Sequence, residues 1–257
     1  MARHDLAIPT SLKEQNLNAA AVVPAAGRGE RLGPGAPKAL RELGGVPLLV
    51  HAVRALARSR AVTLVVVVAP ADGVAQVRAL LDDSGLDDTS IRVVAGGATR
   101  QESVRLGLAA LPPQVDVVLV HDAARPLVPV EVVDAVARAV AEGAEAVVPA
   151  VPLADTVKQV GPADAPGRPE PVLGTPDRST LRAVQTPQGF RRDVLQGVHD
   201  KALSDGVDAT DDAGLVERYG GRVVVVAGHE EAFKVTRPLD LVLAEAVLAR
   251  RRARDDF

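Results

Sequence analysis

The sequence predicts an α/β fold, a mainly parallel sheet covered by helices on both faces. Short runs of Val, Leu and Ala alternate almost throughout with segments of helical periodicity, the order of βαβ units. Those runs are apolar without a break, as strands buried on both faces must be. The first run empties into a glycine-rich loop, and parallel sheets bind ligands beyond the carboxyl ends of their strands. With 257 residues, 47% of them apolar, the chain suits one large domain with a substantial core.

Residues 1–18 mix charges with Pro9 and lack a long apolar centre, so they do not read as a secretory signal. A flexible extension is expected there, ahead of a single domain over 19–257. The first strand is Ala20–Pro24, with a helix from Pro47 to Arg58 after it. The strand Leu64–Ala69 is followed by a helix from Gly73 to Leu81. Ile91–Val94 precedes a helix beginning at Thr99, where Thr99 and Glu102 have capping-box spacing. Val115–Val120 and Ala146–Val151 flank a helix from Val130 to Val140. The rhythm breaks at about 152–185, where Thr156–Val160 and Leu181–Val184 bracket a stretch dense in Pro and Gly, the pattern of a projecting hairpin. Beyond it come a helix from Asp193 to Leu203, a second capped by Thr210 with Asp211 and Asp212 in its first turn, and the strand Val223–Ala227. Pro238 to Arg251 is the last helix.

Composition excludes several classes. Trp is absent, aromatics are 2% of the chain and the net charge is −3, which argues against base-stacking or sequence-independent nucleic-acid binding. The absence of cysteine excludes disulfides and thiolate metal sites. No apolar run approaches the length of a membrane span. Cytosol is the expected compartment.

The glycine-rich loop runs from Ala25 to Lys38 and carries Arg28, Arg31 and Lys38. Its small residues let a ligand approach the backbone, and its N–H groups can face phosphate oxygens. Gly27 and Gly29 fit a dinucleotide fingerprint, but Gly33, Pro34, Gly35 and Pro37 follow at once, and an interior proline costs a helix about 3 kcal/mol. No helix can run through that segment. Lys38 lies between Pro37 and Ala39, so the loop is not a P-loop either.

Pro24 to Leu32 with Pro37-Lys38, and Gly96-Gly97 with Arg100 and Ser103, resemble a sugar-phosphate nucleotidyltransferase. His121-Asp-Ala-Ala-Arg-Pro126, Asp155-Thr156-Val157-Lys158, Thr186-Pro-Gln188 and Lys234-Val-Thr-Arg-Pro238 narrow the resemblance to the 2-C-methyl-D-erythritol 4-phosphate cytidylyltransferase family. It covers nearly everything from Ala20 to the last helix. It implies a Rossmann-like three-layer nucleotidyltransferase fold with a hairpin arm, and CMP transfer from CTP to a polyol phosphate. A phosphate monoester, with a second pKa near 6, is already mostly dianionic at neutral pH and needs no general base. The task is to bring two polyanions together, so catalysis should consist of positioning and cations.

By that resemblance Arg31, Lys38 and Lys234 are catalytic. Pro24, Ala25, Ala26, Gly27, Arg28 and Gly29 surround CTP together with Arg31 and Lys38. Gly97 and Ser103 read cytosine, although Ala98 stands where the family often has an acid. Asp122 contacts ribose or acceptor hydroxyls, while Arg125, Thr156, Arg178, Thr210, Lys234 and Thr236 bind the acceptor. Thr236, just before the last helix, is expected where a phosphate can use helix-terminal N–H groups. Arg178 is expected to reach a neighbouring subunit, making a homodimer joined through the arm. Mg²⁺ is implied by the triphosphate, with no protein ligand assigned to it. Ribitol 5-phosphate is the alternative acceptor, and a non-catalytic nucleotide sensor the alternative of another class.

Overall fold

The computed structural model describes residues 18–27, 37–86 and 89–254. The chain forms β1 (Ala19–Pro24), a small hairpin of β2 (Glu42–Leu43) and β3 (Val46–Pro47), then α1 (Leu48–Ala57), β4 (Val62–Ala69), α2 (Val74–Asp82) and β5 (Ser90–Ala95). Next come α3 (Arg100–Ala109), β6 (Val117–Val120), α4 (Val130–Ala141) and β7 (Ala146–Pro152). The remainder is β8 (Gln159–Val160), β9 (Val172–Gly174), β10 (Arg182–Val184), β11 (Gln188–Arg191), α5 (Arg192–Asp205), α6 (Asp212–Arg218), β12 (Val223–Ala227) and α7 (Pro238–Ala253).

The main sheet runs β10-β7-β11-β6-β1-β4-β5, with β12 parallel to β7. β1 is parallel to both β4 and β6, and β4 to β5. The chain lays β4 and β5 to one side of β1, then crosses to place β6 on the other. The order of strands therefore reverses between β1 and β6, and their carboxyl ends leave a crevice there.

Successive residues of β1 face opposite layers, which is why its sequence shows no alternation. Ala19, Ala21 and Val23 pack with α1, α2 and α4, through side chains such as Leu49, Val53, Val77, Val133 and Val136. Ala20 and Val22 pack on the other face with α3, α5 and α6, through Val104, Leu108, Leu195, Val198 and Leu215. A third cluster joins Leu43, Leu48, Leu127 and Val235 to Ala244 and Leu248 of α7, so the last helix covers loops rather than the sheet.

The projecting segment differs from the expected hairpin. Only Gln159–Val160 of the expected strand Thr156–Val160 is extended in a ladder, and it pairs antiparallel with β9 in a sheet of its own. Arg182–Val184 pairs with β7 in the main sheet instead. β11 was not foreseen: Gln188-Gly-Phe-Arg191 is four residues with one large apolar side chain, too little for a periodic signal. It lies antiparallel between β6 and β7, with Phe190 fully buried. Thr210 does not cap α6; the Asp211 carboxylate does, accepting the N–H of Gly214 at 3.1 Å.

Helix α3 lies close to β1 because Gly107 has no side chain. A Cβ there would stand 2.5 Å from Val22 Cγ1 and 3.0 Å from Val68 Cγ2. Gly107→Ala is expected to lower unfolding free energy by about 1–2 kcal/mol, although alanine gains about 1 kcal/mol in helix propensity. Urea unfolding of the two proteins measures the difference.

Candidate active site

The loops after β1, β5 and β6 and the segment after β12 enclose a cleft of about 240 Å³ over the strand reversal. Pro24, Ala25, Ala26 and Gly27 form one wall, Gly97 to Arg100 another, and Asp122 to Ala124 a third. Lys38, on the short helical turn Lys38–Leu40, and Lys234 complete it. The hydrogen bond from Ala25 N–H to Val68 O, 2.8 Å, prolongs the sheet into the loop. A Cβ on Gly27 would meet none of the described residues within 4 Å.

Asp122, just past the end of β6, gathers the cations. Lys234 Nζ is 2.8 Å from its Oδ2, Arg125 Nε 3.8 Å from the same oxygen, and Arg100 Nε 3.9 Å from Oδ1. Burial alone would raise this carboxyl, but Lys234, then Arg100 and Arg125, outweigh it and hold Asp122 at about 2. Lys38, Lys234 and Arg100 line the cleft, and with Asp122 they make it a place where a polyphosphate can find cations.

His121 fixes the geometry without its charge. Its Nε2 lies 3.1 Å from the Arg125 carbonyl, which can only accept, so this nitrogen carries the proton. Nδ1 is therefore the acceptor for the Thr186 hydroxyl at 3.0 Å, while Thr186 Oγ1 accepts the Asp122 N–H at 3.0 Å. The chain Asp122 N–H to Thr186 to His121 to Arg125 carbonyl ties the 121–125 turn to the segment before β11. Burial depresses His121 to about 4, so it is neutral at pH 7. Arg125 is a brace: it donates to Ala232 O at 2.7 Å and Val184 O at 3.3 Å. Its guanidinium thus faces protein carbonyls rather than the cleft.

Arg100 lines the cleft but was not among the residues assigned from sequence. Its Nη2 stands 2.8 Å from Asp212 Oδ2, and His199 Nε2 donates to Asp212 Oδ1 at 2.9 Å. Burial pushes Asp212 up, yet the hydrogen bond from His199 and the charge of Arg100 hold it below the usual carboxylate range. A buried anion at the start of α6 thus anchors a cation of the cleft. The strand-turn-helix position of Arg100 was a signal for it; Asp212 gave none, because acids at helix starts are usually exposed.

The other expected site residues divide. Arg28, Gly29 and Arg31 lie outside the described residues. Ser103 is buried; its hydroxyl donates to Thr99 O at 2.9 Å and accepts the Gly97 N–H at 3.2 Å, so it shapes the turn. Thr156 and Thr210 are exposed and do not line the cleft. Arg178, on the turn Arg178–Thr180, donates to the Ala154 carbonyl across the base of the projecting segment and does not reach the cleft of its own chain. Thr236 lies just before α7, as expected. The Asp240 carboxylate accepts the N–H groups of Thr236 and Arg237, each at 2.7 Å. Among the described residues, no three His, Asp or Glu side chains come together to hold a metal ion.

The profile of the IspD family, 2-C-methyl-D-erythritol 4-phosphate cytidylyltransferase, matches residues 19–250. The enzyme of that name from Streptomyces avermitilis is 70% identical over 239 residues, 93% of this chain and 94% of that one. The Streptomyces coelicolor enzyme is 71% identical over 93% of this chain and 87% of its own. The crystal structure of the Thermus thermophilus enzyme superposes with a TM-score of 0.68 at 36% identity, covering 89% of this chain and 97% of that one. The Anaerococcus prevotii 4-diphosphocytidyl-2C-methyl-D-erythritol synthase gives a TM-score of 0.77 at 30% identity, over 91% of this chain and 100% of that one.

Two pH windows follow from the buried network. His121 is depressed from 6.5 to about 4, so its contribution to stability is complete above pH 6.5 and is lost as pH falls toward 4, about 3 kcal/mol in all. Asp122 is depressed from 3.8 to about 2, so its contribution of about 2 kcal/mol is lost only below pH 4. Urea unfolding from pH 7 to 4 should show a clear fall in stability. In His121→Gln the fall should be shallower but not absent, because burial also lowers His51.

Proposed function

The chain belongs to the 2-C-methyl-D-erythritol 4-phosphate cytidylyltransferase family, and from that premise we infer how its cleft carries out the reaction. The protein is an enzyme that transfers CMP from CTP to 2-C-methyl-D-erythritol 4-phosphate, a step of isoprenoid precursor synthesis by the non-mevalonate route. The products are 4-diphosphocytidyl-2-C-methyl-D-erythritol and pyrophosphate. An acceptor phosphate oxygen forms a bond to the α-phosphorus as the α–β anhydride bond breaks, and pyrophosphate carries away the electron pair. Ribitol 5-phosphate as acceptor and the sensor reading gain no support from these relatives.

The observation that carries the mechanism is the convergence of Lys38, Lys234 and Arg100 on a cleft walled by small residues. Lys234 and Lys38 screen the two polyanions from each other and stabilise the charge that grows on the transferring group. Asp122 holds Lys234 in place through the 2.8 Å ion pair and faces the ribose or acceptor hydroxyls. His121 moves no proton, in keeping with its depressed pKa and with a nucleophile that is already ionised. Mg²⁺ fits this site as a passenger of the nucleotide: Asp122 is already neutralised by Lys234, so triphosphate oxygens and water would be the ligands. When bound, the ion neutralises the triphosphate and steadies the leaving pyrophosphate.

The reading includes a cytosolic homodimer in which Arg178 and the projecting segment serve the partner's acceptor site. Support comes from Val160 and Val172, paired across β8 and β9, and from Leu173, all apolar and exposed on that segment. No helix among the described residues is long and apolar enough to cross a membrane.

Pyrophosphate release from CTP and the acceptor measures turnover. Lys38→Ala is expected to lower kcat by about 10²-fold or more while raising the KM for CTP much less. Equal losses in both would put Lys38 in ground-state binding only. Arg178→Ala and Lys38→Ala chains should each be nearly inactive alone, yet regain activity when mixed and allowed to exchange subunits. Failure to complement would place Arg178 outside the partner's site.

A further inference from the structure

We propose that Arg251, outside the cleft, is a positioning residue for Lys234: it ties the segment that carries Lys234 to the turn that carries Asp122. The proposal rests on the part assigned to Lys234 above. Residues 233–236 have no regular secondary structure, and the Lys234 side chain is 39% exposed. Where its ammonium stands is therefore decided by whatever holds that segment.

Three bonds join the segment directly to the turn after β6. They are the Lys234–Asp122 ion pair, the Val235 N–H to Ala124 O at 2.8 Å, and Arg125 Nη1 to Ala232 O at 2.7 Å. The other holds come from α7. In its first turn the Asp240 carboxylate takes the N–H groups of Thr236 and Arg237. In its last turn Arg251 Nε donates to Glu231 Oε2 at 2.7 Å, and Arg250 donates to Glu231 Oε1. Arg251 Nη2 donates to Glu231 Oε2 as well, and to the Leu127 carbonyl at 2.7 Å. Asp240 and Arg251 stand about 16 Å apart along the helix axis, so Lys234 is slung between two anchors on one rigid element.

One guanidinium thus grips both loops of the site, at Leu127 just beyond Asp122 and Arg125, and at Glu231 just before Lys234. The Arg251 and Glu231 side chains are only 14% and 12% exposed, so water competes little for the bond. Beneath it Leu127, Val235 and Leu248 pack in one apolar cluster. Arg251 itself does not line the cleft, so its effect on turnover must pass through the loops it holds. The planar fork is what reaches Glu231 and Leu127 together; the ammonium of a lysine is a single point charge without that geometry.

Arg251→Met removes the grip, and Arg251→Lys keeps a positive charge but not the fork. Both are compared with wild type and Lys234→Met for pyrophosphate release from CTP, at saturating 2-C-methyl-D-erythritol 4-phosphate and well below the midpoint of thermal unfolding. In Arg251→Met the kcat is expected to fall roughly tenfold or more, with the KM for CTP changed by less than about twofold. Arg251→Lys should fold as wild type does and lose about threefold or more in kcat, which decides the matter alone if Arg251→Met does not fold. Wild-type kcat in either folded variant, or a loss confined to the KM for CTP, would overturn the proposal and leave Arg251 as a staple of the fold. Wild-type kcat in Lys234→Met would instead refute the part assigned to Lys234.

Discussion

The carboxylate of Asp122 and the ammonium of Lys234, 2.8 Å apart at the end of β6, hold the cleft in its working form. Arg100 and Arg125 close on the same carboxylate from two other directions. Each of these cations comes from a different part of the chain: the start of α3, the turn after β6 and the segment after β12. Without a shared anion they would repel one another. With it, and with Asp212 beneath Arg100, like charges are kept together where a triphosphate and a second phosphate must meet.

That arrangement needs a rigid frame, and the neighbouring uncharged groups supply it. The Asp122 backbone is fixed through Thr186 and a neutral His121, Arg125 ties the turn to the carbonyls of Val184 and Ala232, and Asp212 anchors Arg100 from below. The elements so joined lie far apart in sequence but meet where the strand order reverses beside β1. Gly107 lets α3 pack closely on β1, and the small residues that follow Pro24 line the crevice.

Much of this was legible in the sequence. Unbroken apolar runs announced the parallel strands because burial on both faces demands them. Lys38, Gly97, Asp122 and Lys234 all reached the cleft. What escaped was whatever depends on partners distant in the chain. β11 carries too few apolar residues to show a period, yet Phe190 fills the core. Arg125 reads as a substrate ligand in one dimension; its bonds to Ala232 and Val184, far along the chain, show only in three. The bonds of Ser103 to Thr99 and Gly97, and of Asp240 to the N–H groups before α7, are likewise set by packing that the sequence does not display. The role of Asp212 was hidden because nothing local marks a buried acid.

The central claim is that Asp122 and Lys234 act as one unit. A double-mutant cycle tests it directly, comparing kcat/KM for CTP in Asp122→Asn, Lys234→Met and the protein carrying both changes. If the pair is one unit, the double variant should lose no more than about threefold beyond the worse single variant, since the first change already undoes the arrangement. Losses that multiply would mean that the two side chains work independently, and would contradict a site organised around their ion pair.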